Sequence, residues 1–140
     1  EDPHNFGAII SSCEAFGVDA IIIPTDRSVG ITSVVVKTSV GTIEKVKIIT
    51  VTNLTNTIKK LKEEGYWVVG TDMEGEDYTN IDYKMKTVLV IGNEGKGISR
   101  LVSENCDYLA KIPMKGTVNS LNASVASGIF LAEITKSRGI

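Results

Sequence analysis

Three polar segments of the chain combine amides, hydroxyls and a carboxylate where α/β proteins place their ligands. The first is DPHNFG at residues 2–7, which opens a predicted helix. The second is IGNEGKGIS at residues 91–99 and the third is IPMKGTVNSLNASVASG at residues 112–128, each leading from a predicted strand into a helix. Open α/β sheets bind ligands at the carboxyl ends of their strands, beside turns of this kind. The three segments are therefore the candidate functional site.

The glycines of the second segment do not form a phosphate-binding loop. Gly92, Gly95 and Gly97 follow the order G-x-x-G-x-G, whereas dinucleotide-binding loops have G-x-G-x-x-G and P-loops have G-x-x-x-x-G-K-[ST]. A tight connection is the simpler interpretation. The same turn still presents Asn93 and Glu94 at a strand end, where an amide and a carboxylate could contact a ligand.

The third segment offers more polar groups than a helix cap requires. Ser120, Asn122 and Ser124 alternate with apolar residues where a helix begins, although one of them suffices as an N-cap. Small residues follow at 123 and 126–128 and permit a close approach of two backbones. A cap followed by tight helix packing and a ligand-binding loop are both compatible with this pattern.

Short β-branched runs alternate with helix-like segments along the chain. The predicted strands are residues 20–24, 45–51, 66–70, 87–92 and 108–113, and the predicted helices are residues 3–16, 31–40, 54–64, 97–105 and 120–136. The alternation predicts one α/β domain over residues 1–140, with a mainly parallel sheet and helices on both faces. Asn53 or Thr55 can cap the third helix, and Gly65 can end it.

The first predicted helix has an apolar face and a polar face. Asp2 can cap it, Pro3 suits its first position, and Gly17 ends it. The apolar face consists of Phe6, Ile9, Ile10, Cys13 and Phe16, which recur at three- and four-residue steps. Ser11 and Glu14 fall on the opposite face. An α/β domain rarely begins with a helix, so a strand is expected just ahead of Asp2.

The overall composition is that of an ordinary globular protein. The 140 residues are 42% hydrophobic and 23% charged. The net charge of −2 and the pI of about 5.4 disfavour a protein that coats nucleic acid, but they leave room for a local basic patch. Cys13 and Cys106 match no metal-ligand spacing, and two reduced thiols indicate the cytoplasm. No apolar run approaches the ~20 residues that span a bilayer.

The three segments resemble, in order and spacing, the signature motifs of the SpoU/TrmH family of RNA 2′-O-ribose methyltransferases, within the SPOUT superfamily. The matching stretches are DPHNFGAII, VLVIGNEGKGISRLV and IPMKGTVNSLNASVASGI, with GVDAIIIPTDRS and YWVVGTDMEG similar to the stretches between them. The branch that modifies a guanosine ribose of large-subunit ribosomal RNA is the most similar. The resemblance covers the whole chain, and it outweighs the alternative of a Rossmann- or flavodoxin-type nucleotide module.

The resemblance implies a C-terminal trefoil knot, built from about residue 88 onward, whose loops hold S-adenosylmethionine. It also implies a homodimer with its active sites near the interface. The positions that match cofactor-lining residues of the family are Thr71, Asp72, Met73, Glu74, Gly92, Asn93, Glu94, Gly95, Ile112, Met114, Ser120, Leu121 and Ala123.

The resemblance further implies a catalytic set with one departure from the family. The matching positions are Asn5, Ser11, Glu94, Ser120 and Asn122. In the family pattern N-x-G-x-x-x-R, the position of Ser11 belongs to an arginine. Arginine can bind a phosphate with two hydrogen bonds and stabilise an alkoxide, and serine can do neither. Cofactor binding is expected to persist and methyl transfer to be impaired, so an inactive domain that binds S-adenosylmethionine and RNA is the alternative.

RNA binding is expected to involve few residues of this chain. Family members usually have a strand, and often an RNA-recognition domain, ahead of the first motif, so the chain is expected to be a catalytic core, or a fragment that lacks a central strand. The candidate phosphate contacts are Arg27, Lys96, Arg100 and Lys115, and for each a solvated surface charge is an equally good interpretation. His4 is predicted to be an exposed residue of the first helical turn rather than a base.

Overall fold

The computed structural model describes residues 3–26, 30–38, 45–93, 97–116 and 121–139. The protein folds into a six-stranded sheet with helices on both faces. The elements in chain order are α1 (Pro3–Ala15), β1 (Ala20–Pro24), β2 (Ile31–Lys37), β3 (Lys47–Val51), α2 (Leu54–Glu63), β4 (Trp67–Asp77), a 3-10 turn (Tyr78–Asn80), β5 (Thr87–Gly92), α3 (Arg100–Glu104), β6 (Tyr108–Lys111) and α4 (Ala123–Ser137).

The strands lie in the order β3-β1-β2-β5-β4-β6. β1 pairs in parallel with β3, and β4 pairs in parallel with both β5 and β6. β2 is antiparallel to its two neighbours, β1 and β5. The prediction of a mainly parallel α/β sheet is confirmed, and β2 is its exception.

The predicted helix over residues 31–40 is wrong, because residues 31–37 form β2 at the centre of the sheet. All seven residues of this strand are buried. Its sequence, ITSVVVK, is rich in β-branched side chains, which lose rotamer freedom in a helix and pack well on a pleated surface.

The sheet buries one apolar cluster on each face. On one face, Ile9 and Cys13 of α1 and Phe130 of α4 pack in the same cluster as Leu89 of β5. The other cluster includes Ile58 of α2 and Val102 of α3, together with strand residues. Helices on both faces and an apolar face on α1 were therefore predicted correctly.

Two helix ends follow the predicted capping residues, whereas the predicted cap Asp2 lies outside the described residues. The Asn53 side chain accepts a hydrogen bond from the Asn56 amide at 3.0 Å and caps α2. Gly17 adopts φ +68° after α1, and the next amide, of Val18, donates to the Cys13 carbonyl at 2.9 Å, as in a Schellman C-cap.

Both cysteines are free thiols, with Cys13 buried and Cys106 half-buried. Within the described ranges, every helix is too short or too polar to cross a lipid bilayer.

Candidate functional site

The carboxyl ends of three neighbouring strands, β5, β4 and β6, meet at one edge of the sheet. These strands are mutually parallel, so the residues that follow them are brought to the same edge. Gly92 is the last residue of β5 and Ile112 follows β6, while Thr71 is the first residue of β4 beyond its pairing with β5. The structure thus brings together residues from the separate stretches that the sequence proposed as cofactor-lining.

Thr71 and Gly92 are joined directly. The Gly92 amide donates a hydrogen bond to the Thr71 hydroxyl oxygen at 3.1 Å. Behind Gly92 the chain returns closely, since a Cβ on Gly92 would lie 3.0 Å from the carbonyl carbon of Gly97. Gly97 itself adopts φ +71°. The edge is therefore lined by closely packed backbone at this point.

Residues 72–75 of β4 form an outward excursion. Thr71 and Glu76 both align with Ala110 of β6, so the intervening residues leave the ladder. The Asp72 carboxylate accepts a hydrogen bond from the Glu74 amide at 2.7 Å, and Met73 projects with 51% of its surface exposed. This excursion presents a carboxylate and an apolar side chain beside the strand ends.

Asn93 is held from two sides by the segment around β2. Its amide donates to the Gly30 carbonyl at 2.7 Å, and its side-chain oxygen accepts a hydrogen bond from the Thr32 hydroxyl at 2.8 Å. The predicted site residues do not include Gly30 or Thr32, and Thr32 falls within the wrongly predicted helix over residues 31–40. The β-branched run that begins at residue 31 favours a strand, but its three- and four-residue apolar spacing favours a helix equally.

The third segment supplies apolar contacts and a helix cap. Ile112 is half-buried against the core, and Met114 has 38% of its surface exposed. Asn122 is the N-cap of α4, and its side-chain oxygen accepts hydrogen bonds from the amide of Ser124 at 2.8 Å and from its hydroxyl at 2.6 Å. The cap interpretation of Asn122 is confirmed. Leu121 is half-buried and Ala123 is buried.

Ser11 lies on the exposed face of α1, and α1 packs against α4. A Cβ on Gly128 of α4 would lie 3.9 Å from the hydroxyl of Ser12, so small residues do line this helix contact. The described contact between the two helices thus involves Ser12, whereas Ser11 is exposed. Three further predicted site residues, Glu94, Gly95 and Ser120, are not among the residues that the structure describes. The same holds for the side chains of His4 and Asn5.

The candidate phosphate contacts are exposed where the structure describes them. Arg100 forms an ion pair with Glu104 at 3.1 Å in which both side chains are largely exposed, and Lys115 is also exposed. Arg27 and Lys96 lie outside the description. In the described part of the chain, no group of three histidine, cysteine, aspartate or glutamate side chains could hold a metal ion.

Comparison with known proteins gives matches over almost the whole chain. Residues 1–132 match the model of the SpoU rRNA Methylase family. YacO of Bacillus subtilis, named for the TrmH family of tRNA/rRNA methyltransferases, is 51% identical over 139 residues, which are 99% of this chain and 56% of that protein. A Staphylococcus aureus relative of the same family name is 52% identical with the same coverage. The chain therefore spans little more than half the length of these relatives.

Solved structures share the fold. The TrmH/SpoU tRNA modifying enzyme of A. aeolicus is 33% identical, with a TM-score of 0.82 over 99% of this chain and 71% of that one. AviRb of Streptomyces viridochromogenes, solved in complex with the cofactor AdoMet, is 27% identical, with a TM-score of 0.78 over 98% of this chain and 56% of that one. From the family match and this shared α/β fold, the chain belongs to the SpoU rRNA methylase family.

Proposed function

We propose that this chain is the catalytic domain of an S-adenosylmethionine-dependent RNA methyltransferase. The observation that carries the proposal is the hydrogen bond between Gly92, at the carboxyl end of β5, and Thr71, the first residue of the parallel strand β4 beyond its pairing with β5. This edge is where an α/β sheet binds its ligand. The AdoMet complex of AviRb, a structure with the same fold, supports the choice of cofactor.

The described residues at this edge suit S-adenosylmethionine. Met73 and Met114 are exposed apolar side chains on which an adenine ring can lie, and Asp72 can accept hydrogen bonds from ribose hydroxyls. Because the Gly92 and Asn93 amides already donate within the protein, the backbone carbonyl oxygens of these residues would accept hydrogen bonds from the cofactor. The full proposed cofactor-binding set is Thr71, Asp72, Met73, Glu74, Gly92, Asn93, Glu94, Gly95, Ile112, Met114, Ser120, Leu121 and Ala123.

We further propose that the acceptor is a ribose 2′-hydroxyl of RNA. When bound, S-adenosylmethionine supplies an electrophilic methyl group, so the protein must orient the hydroxyl and accept its proton. Glu94 is the carboxylate of the proposed catalytic set, and Asn5, Ser120 and Asn122 are its polar partners. Because the Asn122 side-chain oxygen caps α4, this residue would meet the ribose through its amide nitrogen, as a donor.

Ser11 is the reason to expect weak turnover. It stands where the family pattern has an arginine, so the position offers a hydroxyl in place of a fixed positive charge. The second candidate function is therefore a domain that binds S-adenosylmethionine and RNA without methyl transfer, and Ser11 is the observation that favours it.

Ribosomal RNA is the proposed substrate, and the guanosine-modifying branch for the large subunit is the proposed subfamily. We also propose that the chain acts as a homodimer in the cytoplasm and that its C-terminal part, from about residue 88, forms a trefoil knot. These proposals follow the motif resemblance, and the name of the matching family supports ribosomal RNA.

Two measurements test the proposed function. Isothermal titration calorimetry should detect binding of S-adenosylmethionine, and its absence would overturn both candidate functions. Transfer of a radiolabelled methyl group to ribosomal RNA is then measured for the chain and for Ser11→Arg. Transfer that appears or rises with arginine supports an impaired enzyme, and binding without transfer in either protein supports the binding domain.

A further inference from the structure

Residues 78–86, which we call the strap, connect β4 to β5. The strand ahead of the strap contains the excursion at residues 72–75, and the strand after it ends at Gly92. The strap therefore joins two stretches of the proposed cofactor-binding set. None of its own residues belongs to that set, so any role of the strap at the site is indirect.

The strap packs on the apolar face of α4. Its Ile81 and Tyr83 are buried in the same cluster as Phe130 of α4. At the beginning of the strap, the ring of Tyr78 meets the ring of Phe130 edge to face, with 5.3 Å between the ring centroids and 62° between the ring planes. Aromatic pairs in this arrangement are favourable, so they hold the beginning of the strap against the middle of α4.

Arg138, which caps the C-terminal end of α4, holds the other end of the strap. Its Nη1 donates to the Tyr83 carbonyl at 3.2 Å and to the Met85 carbonyl at 2.6 Å. Its Nη2 donates to the Thr38 carbonyl at 2.8 Å. Phe130 and Arg138 are roughly two helical turns apart, so the strap is attached to a single helix near both of its ends.

Tyr83 connects these two attachments. Its hydroxyl donates to the Tyr78 carbonyl at 2.7 Å, while its own carbonyl accepts from Arg138. Tyr78 follows directly after Asp77, whose carboxylate accepts hydrogen bonds from the Thr79 amide at 2.9 Å and from the Thr79 hydroxyl at 2.7 Å. Hydrogen bonds and adjacent residues thus lead from Arg138 to the turn that follows the excursion of β4.

The excursion takes its position from the chain on either side of it. Ahead of it, Thr71 is bonded to Gly92, and its last residue, Gly75, packs closely on the backbone of β6. Met73, between these contacts, is 51% exposed. Beyond Gly75 the chain continues into the turn that the strap holds, so a shift of the strap would move the excursion relative to Gly92.

The stability of the fold does not by itself explain a guanidinium at position 138. The Nε atom of Arg138 is buried and has no hydrogen-bond partner among the described residues, so part of a charged group is desolvated without compensation. An apolar side chain often costs less free energy at such a place. Only the planar guanidinium, with several donors in a fixed geometry, can hold the strap and the Thr38 carbonyl at one point.

We propose that Arg138 is a positioning residue of the cofactor site: through the strap, it determines where the excursion of β4 lies relative to Gly92. Arg138 touches neither the cofactor nor the reacting atoms. The proposal rests on the proposed function, because the excursion belongs to the proposed cofactor-binding set. Coupling between two sites is reciprocal, so a cofactor that holds the excursion must also stabilise the strap.

Arg138→Met tests this role, because methionine removes the hydrogen bonds to the strap and keeps an apolar side chain. The affinity for S-adenosylmethionine in calorimetry should fall about ten-fold, as expected for the loss of one hydrogen bond from a charged donor. Lys62→Met is the matched control, since it removes a cation that donates to the Asn105 carbonyl at 3.1 Å. The control should bind with unchanged affinity, and equal losses of affinity in the two variants would overturn the proposal.

Hydrogen exchange distinguishes positioning from a general contribution to stability, and it requires no cofactor. In Arg138→Met, the amides of residues 74–79 should exchange about ten-fold faster while the amides of β1 keep their rates, because the opening is local. A residue that only stabilises the fold would instead accelerate β1 through global unfolding. The same acceleration in both regions would overturn the proposal.

The unmodified chain provides the reciprocal test, which does not depend on the folding of any variant. S-adenosylmethionine should slow hydrogen exchange in the strap, although the strap contains no proposed cofactor-binding residue. If the cofactor binds and exchange in the strap is unchanged, the proposal is overturned. If calorimetry detects no binding at all, the proposed function is overturned instead, so the two failures are distinguishable.

Discussion

The Thr71 hydroxyl accepts a hydrogen bond from the Gly92 amide at 3.1 Å and so joins β4, where its excursion begins, to the end of β5. The bond links residues 21 positions apart in sequence, both of which belong to the proposed cofactor-binding set. The threonine side chain therefore fixes the backbone on which the proposed site depends.

Thr71→Val should weaken S-adenosylmethionine binding about ten-fold in calorimetry. The substitution preserves the shape of the side chain but leaves the Gly92 amide without its acceptor, a loss of about 1–2 kcal/mol. Thr57→Val on α2 is the matched control, because Thr57 bonds to the Asn53 carbonyl within its own helix. An equal dissociation constant for Thr71→Val and the unmodified chain would count against this role of Thr71.

Gly75→Ala should destabilise the protein by about 2 kcal/mol or more. A Cβ at this position would lie 2.5 Å from the carbonyl oxygen of Leu109, and backbone can move away only by disturbing the β4–β6 pairing. Chemical denaturation measures the effect.

Gly128→Ala is the control for that substitution. The nearest atom to its Cβ would be the Ser12 hydroxyl oxygen at 3.9 Å, and alanine favours a helix by up to ~1 kcal/mol over glycine. Gly128→Ala should therefore leave stability unchanged or raise it. Equal losses in the two variants would contradict the close approach at Gly75.

Local signals were sufficient for most of the elements. β1 matches its predicted bounds of 20–24, and β5 matches 87–92, because buried β-branched runs end there in clear turns. The cap at Asn53 and the glycine after α1 fixed two helix ends. Each of these features is determined by residues that are close together in the sequence, so the sequence alone is enough to predict it.

β2 and the excursion of β4 required the tertiary structure. The run at residues 31–37 has helical spacing and strand-forming side chains at once, and only its burial between β1 and β5 decides for the strand. Likewise, nothing in the sequence around Thr71 shows that Ala110 pairs with both Thr71 and Glu76. The edge that carries the site was predictable from strand ends, but the bond between Thr32 and Asn93 was not.

The free energy of unfolding should fall as the pH rises above 9. Burial, the largest cause in each case, raises the pKa of Cys13 and of Cys106 to about 12, and it also raises the pKa of Tyr83. The unfolded thiols ionise near pH 8.5–9, so above that pH the unfolded state loses protons that the folded state retains. Each thiol then contributes a slope of at most about 1.4 kcal/mol per pH unit.

Lys37 has the opposite effect, because its pKa is lowered in the folded state. As the pH rises, the folded state loses the lysine proton before the unfolded state does. Cys13, Cys106 and Tyr83 have raised pKa values and together outweigh Lys37. The free energy of unfolding should therefore fall as the pH rises. Urea unfolding between pH 8 and 10.5 measures the slope, and Cys106→Ala should reduce it. A flat or rising stability over this range would contradict burial of the thiols.

Ser11→Arg should raise methyl transfer to ribosomal RNA by about 100-fold or more. A fixed charge near a developing alkoxide contributes on the order of 100-fold in rate, and Ser11 is exposed on α1, so the substitution should change stability by no more than about 0.5 kcal/mol. The affinity for S-adenosylmethionine should stay the same, because Ser11 is outside the proposed cofactor-binding set. Ser11→Lys adds the same positive charge, but lysine lacks the guanidinium that can donate two parallel hydrogen bonds. It should therefore recover less of the rate of methyl transfer than Ser11→Arg. If neither variant gains activity while both bind the cofactor, the missing arginine is not what limits this chain, and the binding-domain function is favoured.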